Sequence, residues 1–130
     1  MEAARRELER VARLIVEGDT DLACSRAYYA AFYAVQEALA VVGEIPKTHA
    51  GTHRQFGVIA QAGGALDDPE AGRLFRRLEE WRIRVDYARD RPGPEVAQEM
   101  LRGAEHVVAA VERFVERTRD QGGGTTPDAG

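Results

Sequence analysis

The segment "DLACSRAYYAAFYAVQEALAVV", residues 21–42, most constrains what this chain can fold into. Apolar side chains lie on most faces of the helix that the segment predicts, and a helix of that kind is buried on several sides. Seven alanines between Ala23 and Ala40 keep its surface small, so that neighbouring helices can approach closely. We therefore expect a central helix surrounded by other helices.

The rest of the chain supplies those neighbours, because Ala, Leu, Glu and Arg dominate it and no segment reads as a strand. Apolar spacing predicts further helices over about 2–17, 52–62, 69–87 (or to Arg89) and 95–119. Candidate caps precede the later helices: Asp19 or Thr20, Thr48 or Thr52, and Asp67 or Asp68 before Pro69. The fold class is therefore all-α, an up-and-down antiparallel bundle of about five helices. It forms one domain over 1–119, and 120–130 is a disordered tail.

Charge and cysteine content exclude several classes of protein. The net charge of −4 gives no overall basic field for duplex DNA, so any contact with nucleic acid must come from a local cluster. Cys24 is the only cysteine, which excludes a disulfide framework and a cysteine-based zinc site. No apolar run approaches the ~20 residues of a membrane span. We expect a cytoplasmic protein that does not enter a membrane.

Arg26, Tyr29 and Tyr33 share one face of the central helix, because they stand at i, i+3 and i+7. Two interpretations stay open for them. The tyrosines either pack in the core with their hydroxyls at the rim, or they line a binding surface. Arg26 lies in an otherwise apolar segment and needs an anion if it is partly buried, for which Asp21, Glu37 and Asp86 are candidates.

The stretch "WRIRVDYARDR", residues 81–91, pairs Arg82 with Asp86 at i, i+4 and Arg84 with Tyr87 at i, i+3. As surface pairs these are each worth only about a few tenths of a kcal/mol, which is the ordinary interpretation of a charged helix face. The alternative is a functional edge that lies beside the "PKTHAG" loop.

His49 and His53 stand at i, i+4, a spacing that can hold zinc, but no third ligand completes a known signature. His106 falls near the apolar stripe of the last helix and is expected to pack at its rim. A glycine-rich phosphate loop is also missing, since "QAGGAL" lacks the lysine and the spacing. We therefore expect neither a metal nor a cofactor.

Four pieces in this order, "SRAYYAAFYA", "KTHAG", "RVDY" and the closing "AQEMLRGAEHVVAAVERFVE", resemble the HEPN domains (higher eukaryotes and prokaryotes nucleotide-binding). The resemblance is to the small stand-alone prokaryotic branch and covers roughly residues 5–118. It implies a bundle of about five helices that forms a homodimer or higher oligomer. It also implies either a metal-independent ribonuclease toxin or a module that binds nucleotide or RNA, with a minimal nucleotidyltransferase as the partner or antitoxin.

This chain departs from the ribonuclease members, which carry an arginine followed by a histidine four to six positions later. Arg84 matches that arginine, yet the corresponding positions hold Ala88, Arg89 and Asp90. Histidine exchanges protons at neutral pH, whereas arginine keeps its proton and tyrosine titrates near pH 10. His49, which arrives from the loop, is the one plausible spatial replacement. We therefore favour binding over catalysis.

Three hypotheses follow. The first is a binding module for nucleotide or RNA, whose site comprises Arg26, Tyr29, Tyr33, His49, Arg84, Asp86 and Tyr87. The second is a ribonuclease toxin that uses Arg84 with His49 or Tyr87. The third is a structural subunit of a nucleotidyltransferase complex, in which "RVDY" forms a buried ion-pair network with Arg26.

Overall fold

The computed structural model describes residues 1–87 and 91–125, with residues 122–125 as backbone only. Five helices form this part of the chain: α1 (Glu2–Glu17), α2 (Thr20–Val41), α3 (His49–Ala60), α4 (Pro69–Tyr87) and α5 (Pro94–Thr125). The described residues contain no strand, which confirms the all-α prediction. Ala88, Arg89 and Asp90 lie outside the described residues, as do residues 126–130 of the predicted tail.

Each of the first four helices begins or ends at a residue whose chemistry explains the boundary. Gly18 ends α1 in the left-handed conformation, with φ of 84°. Asp19, Thr48 and Asp68 precede α2, α3 and α4, and each side chain accepts a hydrogen bond from the backbone N–H three residues later. Because Thr48 rather than Thr52 is the cap, α3 begins at His49, earlier than predicted. This boundary places His49 on the first turn of a helix.

The centre of the bundle is α2, which packs against all four other helices. Its buried side chains are mostly alanines, together with Cys24, Tyr28, Phe32, Val35 and Leu39. Small residues along α2 let the partner helices come close, and each partner contributes larger apolar side chains to one continuous core. The central-helix prediction is confirmed.

The last helix is longer than predicted, because it continues through residues 120–125 to Thr125. Once a long helix exists, each further residue adds a hydrogen bond without a new nucleation step, so polar and glycine residues can extend its end. No helix in the described ranges is both long and apolar enough to cross a membrane.

A polar cluster around Tyr28 as candidate functional site

Tyr28 lies at the centre of the bundle, where its residue surface is 0% exposed, and its hydroxyl reaches two helices. From α3, His49 Nδ1 lies 3.3 Å and His53 Nε2 lies 3.1 Å from Tyr28 Oη. From α4, Glu79 Oε2 lies 3.4 Å from the same oxygen. These residues, together with Arg82 above the phenol ring, are called the Tyr28 cluster: Tyr28, His49, His53, Glu79 and Arg82.

Glu79 ties the cluster to α4. Its Oε2 lies 2.9 Å from His53 Nε2, and the two side chains are only 28% and 13% exposed. Because the carboxylate accepts from both the imidazole and the phenol, it holds α3 and α2 to the same point on α4. An ionised carboxylate and two other polar side chains therefore share a site that is largely removed from water.

Aromatic stacking fixes the orientation of both imidazoles. The His53 ring lies 4.0 Å from the Phe75 ring at an interplanar angle of 6°, and the His49 ring lies 4.4 Å from Phe32 at 25°. His53 is partly buried, whereas His49 is exposed. The Tyr28 cluster is therefore open to solvent on the side of His49.

Arg82 supplies the positive charge of the cluster. Its guanidinium carbon lies 4.8 Å from the centroid of the Tyr28 ring and 6.0 Å from that of Tyr29, within the range of a cation–π interaction. Nη1 donates to Asp86 Oδ2 at 3.3 Å, and the Arg82 side chain is 12% exposed. Its buried Nε finds no hydrogen-bond partner among the described residues.

Burial sets the protonation states inside the cluster. Desolvation lowers the pKa of His53, against the opposing effect of the Glu79 carboxylate, so the imidazole is neutral at neutral pH. Desolvation also raises the pKa of Tyr28 above its ordinary value, and the charge of Glu79 adds to this shift. The hydroxyl of Tyr28 therefore keeps its proton and acts as a hydrogen-bond donor.

Arg26 does have the anion that its position requires, but the anion is Glu7 of α1. Its Nε and Nη2 donate to the two Glu7 oxygens at 2.8 and 2.7 Å, and its guanidinium lies 5.2 Å from the Tyr29 ring centroid. This bidentate pair contradicts the predicted buried network between "RVDY" and Arg26. The network does not form because Asp86 instead pairs with Arg82 on its own helix.

Tyr29 and Tyr33 continue the aromatic side of α2 away from Tyr28. The rings of Tyr28 and Tyr29 meet edge to face at 5.3 Å, and those of Tyr29 and Tyr33 lie 6.4 Å apart. Both residues are partly buried and pack against the core. Of the predicted set on α2, Tyr29 is therefore the member that reaches Arg82 of the cluster.

Arg84 does not join the other predicted residues. It is exposed, and its guanidinium lies over the Trp81 ring at 5.1 Å. Residues two apart on a helix point about 200° away from each other, so Arg82 and Arg84 lie on opposite sides of α4. Arg82 rather than Arg84 has the contacts that the site hypothesis requires. Tyr87, 75% exposed, interacts with the same Arg82 guanidinium as Asp86 does.

Four members of the cluster lie outside the site that the sequence predicted: Tyr28, His53, Glu79 and Arg82. The buried positions of α4 are Ala71, Gly72, Phe75 and Leu78, and they give a signal for Arg82. Continuing the four- and three-residue spacing of Ala71, Phe75 and Leu78 leads to Arg82 and not to Arg84. His53 was considered only as a metal ligand, whereas its Nε2 contacts Tyr28 and Glu79. No group of three or more metal-ligating side chains occurs in the described part of the chain.

Comparison with known proteins identifies the family to which the chain belongs. The family model for the HEPN domain matches residues 1–114, and the chain belongs to that family. A protein of Methanocaldococcus jannaschii named "Putative toxin MJ0605" is 31% identical to this chain over 94 residues, which are 72% of this chain and 69% of the relative. The resemblance drawn from the sequence motifs is thereby confirmed.

Proposed function

We propose that the protein is a toxin-like HEPN module that binds RNA or a nucleotide at the Tyr28 cluster, as one half of a toxin–antitoxin-type pair in the cytoplasm. One observation carries the proposal: a largely buried arginine and an exposed histidine meet at the same tyrosine, on the open side of the bundle. The relative that is named a toxin supports the biological role.

The surroundings of His49 suit a phosphate group. Lys47 and Arg54 are exposed on either side of the first turn of α3, whose backbone N–H groups carry partial positive charge. Arg76 is close enough to His53 to influence its charge state. Exposed cations on and before α3, on a chain whose net charge is −4, favour a short RNA segment or nucleotide over a long duplex.

The partner remains the one that the family resemblance implies. A toxin is harmless to its cell only while a partner restrains it, and a minimal nucleotidyltransferase encoded beside the gene would fill that role. Self-association as a dimer or higher oligomer belongs to the same proposal. Light scattering on the purified chain, alone and after co-expression with the neighbouring gene product, measures both kinds of assembly.

Two arginines on one helix provide a matched test of RNA binding. We expect Arg82→Ala to weaken binding of a short RNA about tenfold or more, since it removes the charge at the cluster, and Arg84→Ala to change it less than about threefold. Growth after expression of each variant gives the cellular readout. Equal binding by the wild type and both variants, or binding that only Arg84→Ala removes, would contradict the proposed site.

A second candidate function, a metal-independent ribonuclease, is favoured by the position of His49 and His53 around one hydroxyl. An imidazole can act as the base for the ribose 2′-hydroxyl, and an arginine can stabilise the charge that develops on the phosphate. We expect cleavage that persists in EDTA and leaves 2′,3′-cyclic phosphate ends. If RNA stays intact after prolonged incubation with the purified wild type, the ribonuclease candidate is contradicted and the binding module is the function that the site supports.

A further inference from the structure

Hydrogen-bond donors and acceptors in the Tyr28 cluster can be assigned from Glu79 outward. We propose that Glu79 and Tyr28 form a chain of hydrogen bonds that fixes His49 as the tautomer with a proton on Nδ1 and a free lone pair on Nε2. His49 is then the general base of the site, and Tyr28 and Glu79 are its positioning residues. The catalytic part of this proposal rests on the ribonuclease candidate above, whereas the tautomer assignment does not.

The first step is that an ionised carboxylate only accepts hydrogen bonds. Glu79 Oε2 lies 2.9 Å from His53 Nε2 and 3.4 Å from Tyr28 Oη. In the proposed arrangement both groups donate to it, and His53 Nε2, which lies 3.1 Å from the hydroxyl, then has no lone pair with which to accept from Tyr28. His53 then carries its proton on Nε2, and the hydroxyl proton of Tyr28 points towards the carboxylate.

The second step assigns His49. Because Tyr28 has directed its proton to Glu79, its oxygen offers only lone pairs to His49 Nδ1, which lies 3.3 Å away. Nδ1 must therefore donate, and a neutral imidazole has only one N–H. The Nε2 atom consequently carries the lone pair. Stacking on Phe32 at 4.4 Å holds the ring in this orientation, and His49 is the exposed imidazole of the pair.

The two inner members keep the chain in one protonation state at neutral pH. Burial lowers the pKa of His53, which favours its neutral imidazole at pH 7, and raises the pKa of Tyr28, whose hydroxyl keeps its proton. The titratable and charged groups that face Tyr28 are Tyr29 of α2, His49 and His53 of α3, and Glu79 and Arg82 of α4, and Arg76 of α4 also acts on His53. Within this set, His49 is the imidazole on the solvent side.

The chemical step then follows from the assigned tautomer. His49 Nε2 accepts the proton of a ribose 2′-hydroxyl while the 2′-oxygen forms a bond to phosphorus and the bond from phosphorus to the 5′-oxygen breaks. The leaving 5′-oxygen takes a proton from water, and the hydroxide that remains takes the proton from His49 Nε2, which returns the imidazole to its starting form. The products are a 2′,3′-cyclic phosphate and a 5′-hydroxyl. Glu79 stabilises the imidazolium of His49 through Tyr28, and Arg82 stabilises charge that develops on the phosphate.

Nitrogen-15 NMR of the histidine side chains tests the tautomer without any substrate. In the wild type we expect a protonated Nδ1 and an unprotonated Nε2 for His49. In Tyr28→Phe, which removes only the hydroxyl, and in Glu79→Gln this preference is expected to weaken or reverse. A protonated Nε2 in the wild type, or the same spectrum in all three proteins, would overturn the assignment.

Cleavage kinetics test the catalytic role. We expect His49→Ala to lower the rate at least about 100-fold, within the usual range for an acid–base residue. Tyr28→Phe and Glu79→Gln are expected to lower it about tenfold, because His49 loses the hydrogen bond that holds its ring as the base. Imidazole added to His49→Gly should restore part of the rate.

His106→Ala is the matched control, because His106 pairs with Asp68 at 3.1 Å and is not a member of the cluster. It should cleave like the wild type. Binding of an RNA with a 2′-deoxy sugar at the cleaved position separates the two proposals, since it requires the binding site but no base. If the wild type binds this RNA and His49→Ala cleaves RNA as fast as the wild type, the catalytic role of His49 is contradicted and the binding function is not. If the wild type does not bind this RNA, the proposed function is contradicted.

Discussion

Replacing Arg82 with alanine should destabilise the bundle, whereas replacing Arg84 should hardly affect it. The two arginines stand on the same helix, but the Arg82 side chain is only 12% exposed and Arg84 is exposed. The change at Arg82 removes a guanidinium that lies 4.8 Å from the centroid of the buried Tyr28 ring. The comparison therefore isolates what the direction of the side chain contributes to the free energy of unfolding.

The magnitude follows from three contributions. A partly desolvated cation–π contact is worth about 1–2 kcal/mol, and the ion pair with the 35% exposed Asp86 adds about 0.5 kcal/mol. Loss of the aliphatic stem from the packed helix interface adds about 1 kcal/mol. Relief of the buried, unpartnered Nε offsets about 1 kcal/mol. We expect a net loss of roughly 1–3 kcal/mol for Arg82→Ala and less than about 0.5 kcal/mol for Arg84→Ala.

Urea denaturation followed by circular dichroism measures both values, provided that the slope with denaturant is unchanged between the proteins. Arg84→Ala serves as the control because it removes the same side chain from the opposite side of α4. A loss for Arg84→Ala equal to or greater than that for Arg82→Ala would refute the reasoning, since it would mean that α4 presents its other side to Tyr28.

Three further predictions concern the pH dependence of stability, the space around two glycines and the burial of Cys24. Burial lowers the pKa of His53 in the folded state below 6.5, so the unfolded chain binds its proton more readily. The free energy of unfolding should therefore fall as the pH drops below about 6.5. Urea titrations at several pH values should show a weaker pH dependence for His53→Gln than for the wild type. The same pH dependence in both proteins would contradict the burial of His53. A Cβ on Gly64 would lie 2.5 Å from the backbone oxygen of Ile59. Gly64→Ala should therefore reduce the free energy of unfolding by roughly 2–4 kcal/mol and lower the thermal midpoint. A Cβ on Gly57, in the middle of α3, would meet nothing within 4 Å, so Gly57→Ala should leave stability unchanged or raise it by up to about 1 kcal/mol. A greater loss of stability in Gly57→Ala than in Gly64→Ala would count against the packing of the α3–α4 loop. Burial raises the pKa of the Cys24 thiol to about 11, so a thiol reagent should label it only as fast as the bundle opens, and rapid labelling of the folded protein would disagree with this burial.

Local and periodic features of the fold were predictable from the sequence because they depend on neighbours along the chain. The helical class and the buried central helix follow from spacing and side-chain chemistry, and each of the caps Asp19, Thr48 and Asp68 is one of the two candidates that the sequence offered for its helix. Family membership was also predictable, since the motifs "SRAYYAAFYA", "KTHAG" and "RVDY" occur in order. The need of Arg26 for an anion was predicted correctly as well, although not the identity of that anion.

Contacts between helices, by contrast, were decided by the tertiary structure alone. Glu7 pairs with Arg26 because α1 lies beside α2, and Glu79 reaches Tyr28 because of how α4 is rotated about its own axis. A rotation equivalent to two residues would exchange Arg82 for Arg84, with no change in composition or helical period. Sequence periodicity determines which residues share a side of a helix, but packing between helices determines which of those sides meet, and therefore which polar groups form the site.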